Sequence, residues 1–141
     1  MNNTQSGKIA VGTLIDKVTL PAIDHTALMN YAKASGDYAP VHLDTDYARS
    51  MGFPDVIAHG LLTMAYLGRA VTSWSSTRQL RNFSCRFVDV VHLGDILMCS
   101  GHVTAVNHSD GEQFAELDLL VTDQNDQVKL TGKATVALSG G

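Results

Sequence analysis

Two short segments of this sequence carry residue types that could perform acid–base chemistry on a small substrate. The first segment runs from Ser35 to His42 and holds an acid, Asp37, close to an imidazole, His42. Gly36 and Pro40 shape the backbone around them. Because a carboxylate and an imidazole can together hold and polarise a water molecule, we interpret Asp37 and His42 as a candidate catalytic pair.

The second segment, Ile57-Ala58-His59-Gly60, ends in a glycine that opens the long apolar stretch 61–73. The amides at a helix N-terminus have no partner within the helix, and they can donate to a developing oxyanion. A glycine at this position lets a substrate carbonyl approach them closely. Gly60 is therefore the third candidate catalytic residue, and we interpret the chain as a fold that brings the two segments together.

Each of these residues also has a purely structural interpretation. Asp37 could accept a hydrogen bond from the backbone two residues further on, as Asx residues do in turns. His59 is interpreted as a residue that fixes the turn before the helix, and not as a third catalytic group. Gly60 could permit close packing against a sheet residue, which needs the same open space as a substrate. The sequence leaves open which member of the pair takes the first proton from water.

The composition limits the classes of protein to which the chain can belong. Its 141 residues are the size of one domain, so residues 1–141 are predicted to form a single domain. The hydrophobic share of 45% and the charged share of 17% are typical of a globular protein. A formal net charge of -4 argues against broad electrostatic binding to nucleic acid or to an anionic membrane.

The cysteines and the N-terminus bear on cofactors and location. Cys85 and Cys99 stand in strand-like apolar surroundings and are expected to be reduced, as in a cytoplasmic protein. Neither a CxxC nor an HExxH pattern occurs, so we expect no metal site and no metal or redox cofactor. The first residues lack the apolar core of a signal peptide, and the stretch 56–71 is too interrupted to span a bilayer.

The elements that must position the candidate pair come from the first half of the chain. A strand is expected within 11–20, followed by a helix over 25–34 with Asp24 as its N-cap. Gly36 suits the left-handed position that often follows a helix C-terminus. The segment 37–43 is therefore expected to be an ordered loop between helices.

The apolar residues that follow Gly60 leave almost no polar face, which predicts a buried helix. In a chain of this size, a curved sheet wrapped around that helix is the simplest way to bury it. Strand-like runs follow at 79–88, 96–107, 113–122 and 128–138, with turn residues between the last three. The predicted fold class is α+β, with helices first and then an antiparallel meander around one long buried central helix.

The two segments together resemble the MaoC-like dehydratases and (R)-specific enoyl-thioester hydratases, which have the hot-dog fold. That family carries a Gly-Asp-x-Asn-Pro-aliphatic-His motif, followed by Ala-His-Gly at the start of the central helix. Small single-domain subunits of mycobacterial-type (3R)-hydroxyacyl-acyl carrier protein dehydratases are similar in further segments, namely Thr63-Met64, Val71-Thr72-Ser73-Trp74 and the stretch from Cys85-Arg86-Phe87 to Gly94-Asp95. The resemblance covers most of the chain, from about residue 11 to about residue 138. One position departs from the motif, because Ala39 stands where the family has asparagine.

This resemblance implies reversible syn addition of water to a trans-2-enoyl thioester, giving the (R)-3-hydroxyacyl thioester. The reaction is that of a hydro-lyase of the enoyl-CoA hydratase 2 type. Asp37 and His42 would hold the water, and the Gly60 backbone N–H would polarise the thioester carbonyl. The departure at Ala39 implies that another group supports the loop, or that activity or substrate preference differs.

The acyl group would be carried by coenzyme A or by an acyl carrier protein, and the resemblance implies no separate cofactor. Arg86 is a candidate for contact with the phosphates of that carrier, as are Arg78 and Arg81. Taken singly, each arginine is better explained as solubilising surface charge.

Two other functions remain open. The first is a non-catalytic or weakly active hot-dog subunit of a heteromeric dehydratase, which Ala39 keeps open. The second is an acyl-CoA thioesterase of the same fold, but such enzymes commonly place a carboxylate on or beside the central helix, and 60–73 contains no Asp or Glu. A small sheet around one helix also leaves an open edge, so we expect a homodimer or higher assembly with the thioester entering at the subunit interface.

Overall fold

The computed structural model describes residues 9–75 and 79–138. The helices are α1 (His25–Ser35), α2 (Thr45–Ser50) and α3 (Gly60–Trp74), with a short 3₁₀ helix, Pro40–His42, between the first two. The strands are β1 (Val18–Thr19), β2 (Leu80–Phe87), β3 (Met98–Ser109), β4 (Glu112–Thr122) and β5 (Val128–Ala137). They form one antiparallel sheet in the order β1-β3-β4-β5-β2. Within the described ranges, no helix has the length and apolarity needed to cross a membrane.

The N-terminal part confirms the predicted helix but not the full predicted strand. Helix α1 begins after Asp24, whose Oδ1 accepts a hydrogen bond of 2.8 Å from the Ala27 backbone N–H. It ends at Gly36, which has a left-handed φ of 79°. The strand expected within 11–20 forms in two interrupted pieces: Val18–Thr19 pairs with β3, and Leu14 makes an isolated antiparallel bridge with His102 of the same strand. The side chains of Val11 and Leu14 are both exposed, so no buried face fixes one continuous register over the whole segment.

Helix α3 lies on the inner face of the sheet, as the predicted fold class requires. The residues that it buries against the sheet are Leu62, Thr63, Leu67, Ala70, Val71 and Trp74. Fully burying a side chain such as Leu67 contributes roughly 1.5–3 kcal/mol to folding. A Cβ at Gly132 would lie 3.2 Å from Leu67 Cδ2, so a glycine in β5 lets the helix approach closely. The opposite face of α3 is open in the single chain, where Leu61 is 61% exposed.

The sheet confirms the meander for β3, β4 and β5 but places β2 elsewhere. The β3–β4 hairpin turns through Asp110-Gly111, both with positive φ, as a two-residue hairpin turn requires. A continuous meander would put β2 beside β3, yet β2 pairs with β5 at the far edge. The reason lies in the connection 88–97, which leaves the sheet and pairs with the segment before α3 through an isolated bridge between Ile57 and His92.

Candidate active site

The two chemical segments meet at the N-terminal end of α3. His42 and Gly60 both line a cavity of about 450 Å³. The rest of the lining comes from Ile57-Ala58, Thr63 of α3, the run 87–91 and Lys129. Asp37 is not among the lining residues, but its carboxylate lies beside His42, with half of its side chain exposed. The folded chain therefore brings the three predicted catalytic residues to one end of the central helix.

Asp37 uses its two carboxylate oxygens differently. Its Oδ1 accepts a hydrogen bond of 3.1 Å from the backbone N–H of Ala39, which is the Asx turn that its structural interpretation predicted. Its own backbone N–H donates to Ser35 Oγ at 3.1 Å. Its Oδ2 lies 3.9 Å from His42 Nε2. The turn fixes one oxygen, so the other is directed towards the imidazole.

The backbone determines which nitrogen of His42 carries a proton. His42 Nδ1 lies 2.8 Å from the carbonyl oxygen of Ile57, which can only accept. Nδ1 therefore bears the hydrogen in the neutral ring, and the Nε2 lone pair is the one that approaches Asp37. A separation of 3.9 Å is too long for a direct hydrogen bond, so a water molecule that contacts both groups would lie to one side of the line between them. The Nε2 lone pair and the Oδ2 oxygen are two acceptors that face the same region.

His59 lies behind the pair and is only 2% exposed. Its ring stacks on the His42 ring with centroids 4.0 Å apart and 24° between planes, and Tyr31 contacts it edge-on at 4.8 Å. Its Nε2–H donates to the Asp37 backbone carbonyl at 3.1 Å. Burial lowers the pKa of His59, and this outweighs the opposing effect of that hydrogen bond. A neutral His59 holds the Asp37 loop against His42, a wider structural role than the predicted turn.

Gly60 is the first residue of α3. The N-cap residue, His59, makes no side-chain capping hydrogen bond, and its backbone carbonyl accepts from the Leu62 N–H at 3.1 Å, so the Gly60 and Leu61 amides are the ones left available to a ligand. A Cβ built at Gly60 would lie 3.1 Å from Phe87 Cε1, and Phe87 lines the same cavity. Glycine therefore keeps open a narrow space in front of these amides, and the packing and catalytic interpretations of Gly60 share that space.

Asp37, His42 and His59 also offer ligand-type atoms that lie within 4.8 Å of one another. Two of the ring nitrogens already face carbonyl oxygens, at Ile57 and Asp37, and so carry protons. The stacked rings are nearly parallel, so their in-plane lone pairs do not converge on one point. This arrangement favours proton transfer over coordination of a shared ion.

Two of the three arginines that were candidates for phosphate contact, Arg81 and Arg86, do not line the cavity beside His42. Arg86 is exposed on β2 and lines a different cavity, formed with Asp118 and Lys133 on the neighbouring strands. Arg81 lies 3.6 Å from a carboxylate oxygen of Glu112. Arg78 lies outside the described residues.

Sequence reasoning missed two parts of the cavity. The Ile57 carbonyl that orients His42 is a backbone group, and no side-chain pattern could announce it. Lys129 was missed because it stands in an ordinary strand-like run, and its nearness to the cavity depends on the connection 88–97. The only available signal was the concentration of aspartates around it in sequence, at Asp123 and Asp126.

Comparisons with known proteins place this geometry in context. A family model described as a MaoC like domain matches residues 8–125. The chain is 25% identical over 109 residues to a mitochondrial 3-hydroxyacyl-[acyl-carrier-protein] dehydratase of Arabidopsis thaliana, covering 77% of this chain and 66% of that protein. It is 29% identical over 110 residues to fatty acid synthase subunit beta of Saccharomyces cerevisiae, covering 75% of this chain. The match spans only 5% of that much longer subunit.

Solved structures share the whole architecture. R-Hydratase PhaJ1 from Pseudomonas aeruginosa, in its unliganded form, superposes with a TM-score of 0.81 at 28% identity, covering 91% of this chain and 81% of that chain. A chain of the ChsH1-ChsH2 complex from Mycobacterium tuberculosis superposes with a TM-score of 0.81 at 23% identity, covering 92% of this chain and 98% of that chain. At that lower identity the second likeness supports the fold alone.

Proposed function

The chain belongs to the MaoC-like domain family of the hot-dog fold, and on that premise we propose that it interconverts trans-2-enoyl and (R)-3-hydroxyacyl thioesters by adding or removing water. Among its relatives are a 3-hydroxyacyl-acyl carrier protein dehydratase and an R-hydratase, so hydro-lyase chemistry is the activity of the group. The proposed substrate is a thioester of coenzyme A or of acyl carrier protein, and the name of the Arabidopsis relative, which specifies the acyl carrier protein, supports the second carrier. The observation that carries the proposal is the 3.9 Å gap between Asp37 Oδ2 and His42 Nε2 beside the open amide end of α3.

In the hydration direction, the water bridges these two atoms from one side. His42 Nε2 accepts one water proton, while Asp37 Oδ2 accepts a hydrogen bond from the other O–H and orients the oxygen. The water oxygen bonds to C3 of the enoyl group, and the electrons of the C2–C3 double bond move to the thioester carbonyl. The Gly60 N–H donates to the carbonyl oxygen as negative charge develops there.

The second half of the reaction returns the proton. C2 takes it from the protonated His42, which restores the carbonyl and the neutral imidazole. Because the same pair supplies the hydroxyl and the proton, both arrive on one face of the double bond, which gives syn addition. One water is added, no net proton is gained or lost, and no cofactor enters the scheme.

The test is hydration of crotonyl-CoA, followed by the loss of absorbance of the conjugated thioester and by the chirality of the product. We expect Asp37→Asn and His42→Ala each to lower kcat by about 10²–10⁴-fold with the circular dichroism spectrum unchanged. Asp16→Asn and His108→Ala, exposed residues of the same types, serve as controls and should keep wild-type turnover. Near wild-type turnover in either pair variant would refute the acid–base assignment.

A second candidate function is that of a weakly active or non-catalytic subunit within a heteromeric dehydratase. Ala39 favours it, because the family asparagine is missing. It predicts that the purified chain alone hydrates a panel of enoyl-CoAs of rising chain length weakly or not at all. A thioesterase role is disfavoured because α3 contains no Asp or Glu.

We further expect the chain to act as a homodimer or higher assembly. Among the described residues, β2 pairs on one side only and leaves its other edge open, next to the exposed face of α3 that carries Leu61. A second copy placed there would cover this face and the mouth of the cavity beside Phe87. Light scattering at assay concentration tests the assembly, and a single monomeric species would contradict it.

A further inference from the structure

Lys129 on β5 is a buried cation at the wall of the candidate active site. Its side chain is 4% exposed, and it lines the cavity that contains His42 and Gly60. Its Nζ donates a hydrogen bond of 2.8 Å to the backbone carbonyl of Val90. An ammonium group is rarely buried without compensating partners, because removing it from water is unfavourable.

Three carboxylates compensate this charge, and together with Lys129 they are called here the Lys129 cluster. Lys129 Nζ lies 3.6 Å from Asp89 Oδ2, 3.9 Å from Asp95 Oδ2 and 3.6 Å from Asp123 Oδ2. Asp95 and Asp123 are buried, whereas Asp89 is half exposed. A buried ion pair that loses one partner leaves an uncompensated charge, so the members of the cluster depend on one another.

The aspartates of the cluster also hold the backbone on both sides of the cavity wall. Asp95 Oδ2 accepts a 2.8 Å hydrogen bond from the His92 N–H. Asp123 Oδ1 accepts from the backbone N–H groups of Asn125 and Gln127, each at 2.9 Å. The cluster therefore ties the 88–95 connection to the β4–β5 turn.

The connection held in this way is paired with the segment that leads into α3. The Ala58 N–H donates to the Val91 carbonyl at 2.8 Å, and the Leu93 N–H donates to the Val56 carbonyl at 3.4 Å. Ile57, between these two bonds, carries the carbonyl that orients His42. A path of three hydrogen bonds, joined by the backbone from Val90 to Val91 and from Ala58 to Ile57, thus runs from the buried ammonium group to the imidazole.

We propose that Lys129 is a positioning residue of the active site. It holds the 88–95 connection, and that connection holds the segment 56–58. The segment 56–58 in turn sets the orientation of His42 and the start of α3. This inference rests on the proposed hydratase function. Lys129 does not touch the reacting atoms; it acts through Val90 and the backbone pairing at Ala58. Its removal changes turnover per folded molecule, in addition to any change in stability.

The experiment compares Lys129→Met with Lys133→Met. Lys133 lies on the same strand and pairs with Asp118 at 2.9 Å, but it is exposed. Because Lys129→Met leaves buried carboxylates without a cation, a neutralised variant that adds Asp95→Asn and Asp123→Asn is measured with it. Each protein is assayed for kcat and KM with crotonyl-CoA below its unfolding transition, and the exchange of the Ala58 and Leu93 amides with solvent is followed by NMR.

We expect kcat per folded molecule to fall by about tenfold or more in Lys129→Met and in the neutralised variant, with a smaller change in KM, because small displacements of catalytic groups strongly reduce rates. The Ala58 and Leu93 amides should exchange faster in both, and Lys133→Met should keep wild-type kcat and wild-type exchange at these two amides. If Lys129→Met does not fold, kcat and amide exchange in the neutralised variant alone test the positioning role. Wild-type kcat together with wild-type exchange in the neutralised variant would overturn the positioning role.

A failure of the proposed function can be distinguished from a failure of the positioning role of Lys129. If the wild-type chain hydrates no enoyl thioester of the panel, the proposed function fails, but amide exchange still measures the role of Lys129. In that case faster exchange at Ala58 and Leu93 supports the positioning role, and unchanged exchange overturns it.

Discussion

Gly60→Ala tests the oxyanion site with a single methyl group. The new Cβ would lie 3.1 Å from Phe87 Cε1 and 3.4 Å from its Cδ1, close enough that the ring must shift by a few tenths of an ångström. Phe87 is 53% exposed, so its ring has room to move, and alanine is a better helix former than glycine. We therefore expect little change in the free energy of unfolding. The methyl group, however, stands where the thioester carbonyl must approach the amide.

The expected effect on turnover follows from the loss of that approach. Losing one oxyanion donor typically lowers the rate by about 10²–10³-fold, or about 2.7–4 kcal/mol in the barrier. The assay is kcat/KM for hydration of crotonyl-CoA, measured together with the midpoint of thermal unfolding. We expect a fall of that size in kcat/KM with a nearly unchanged midpoint.

Gly68→Ala is the matched control for this variant. Gly68 lies on the same helix, and its Cβ would meet Phe83 Cε2 at 3.2 Å, a contact of the same kind, but it does not line the cavity beside His42. Wild-type turnover in Gly60→Ala would refute the oxyanion role of this amide. If Phe87→Leu restores the activity of Gly60→Ala, the loss comes from the aromatic contact and not from the blocked carbonyl.

Two further predictions concern the carrier and the second histidine. If Arg86 contacts the phosphates of coenzyme A thioesters, Arg86→Ala should raise KM for them with kcat unchanged. Arg81→Ala serves as a control of equal charge on the same strand. An unchanged KM in Arg86→Ala would show that Arg86 is not a phosphate contact. His59→Phe should make the loss of stability between about pH 7 and about pH 5 shallower than in wild type. Burial lowers the pKa of His59 in the folded state, so only the unfolded chain gains its proton just below about pH 6.5, and folding stability falls as the pH falls through that window. Urea unfolding at both pH values gives the free energy of unfolding of each protein. An equal loss of that free energy in His59→Phe and in wild type would contradict the prediction.

Local signals in the sequence predicted the elements whose formation depends on neighbouring residues. The Asp24 cap, the left-handed Gly36 and the two-residue turn at Asp110-Gly111 each follow from the conformation or hydrogen bond that one residue supplies. The central helix was predicted because its apolar residues leave almost no polar face. These signals also located the candidate site, since Asp37, His42 and Gly60 are all found at one end of α3.

The long-range arrangement could not be predicted in the same way. The position of β2 beside β5 depends on where the 88–97 connection runs, and that path is fixed by pairing with 56–58 rather than by its own sequence pattern. The partners of Lys129 come from three separate parts of the chain, at Asp89, Asp95 and Asp123. Groups that meet only after the sheet has formed leave no periodic signal.

The departure at Ala39 can be understood from the hydrogen bonds of the loop. The group that holds Asp37 Oδ1 is the backbone N–H of residue 39, which alanine supplies as well as asparagine does. The Asp37 carbonyl is held independently by His59 Nε2–H, and His42 is held by the Ile57 carbonyl. Because none of these three bonds uses the side chain at position 39, its shortening leaves the orientation of the pair intact. The three bonds therefore hold Asp37 and His42 in the same way whether alanine or asparagine stands at position 39.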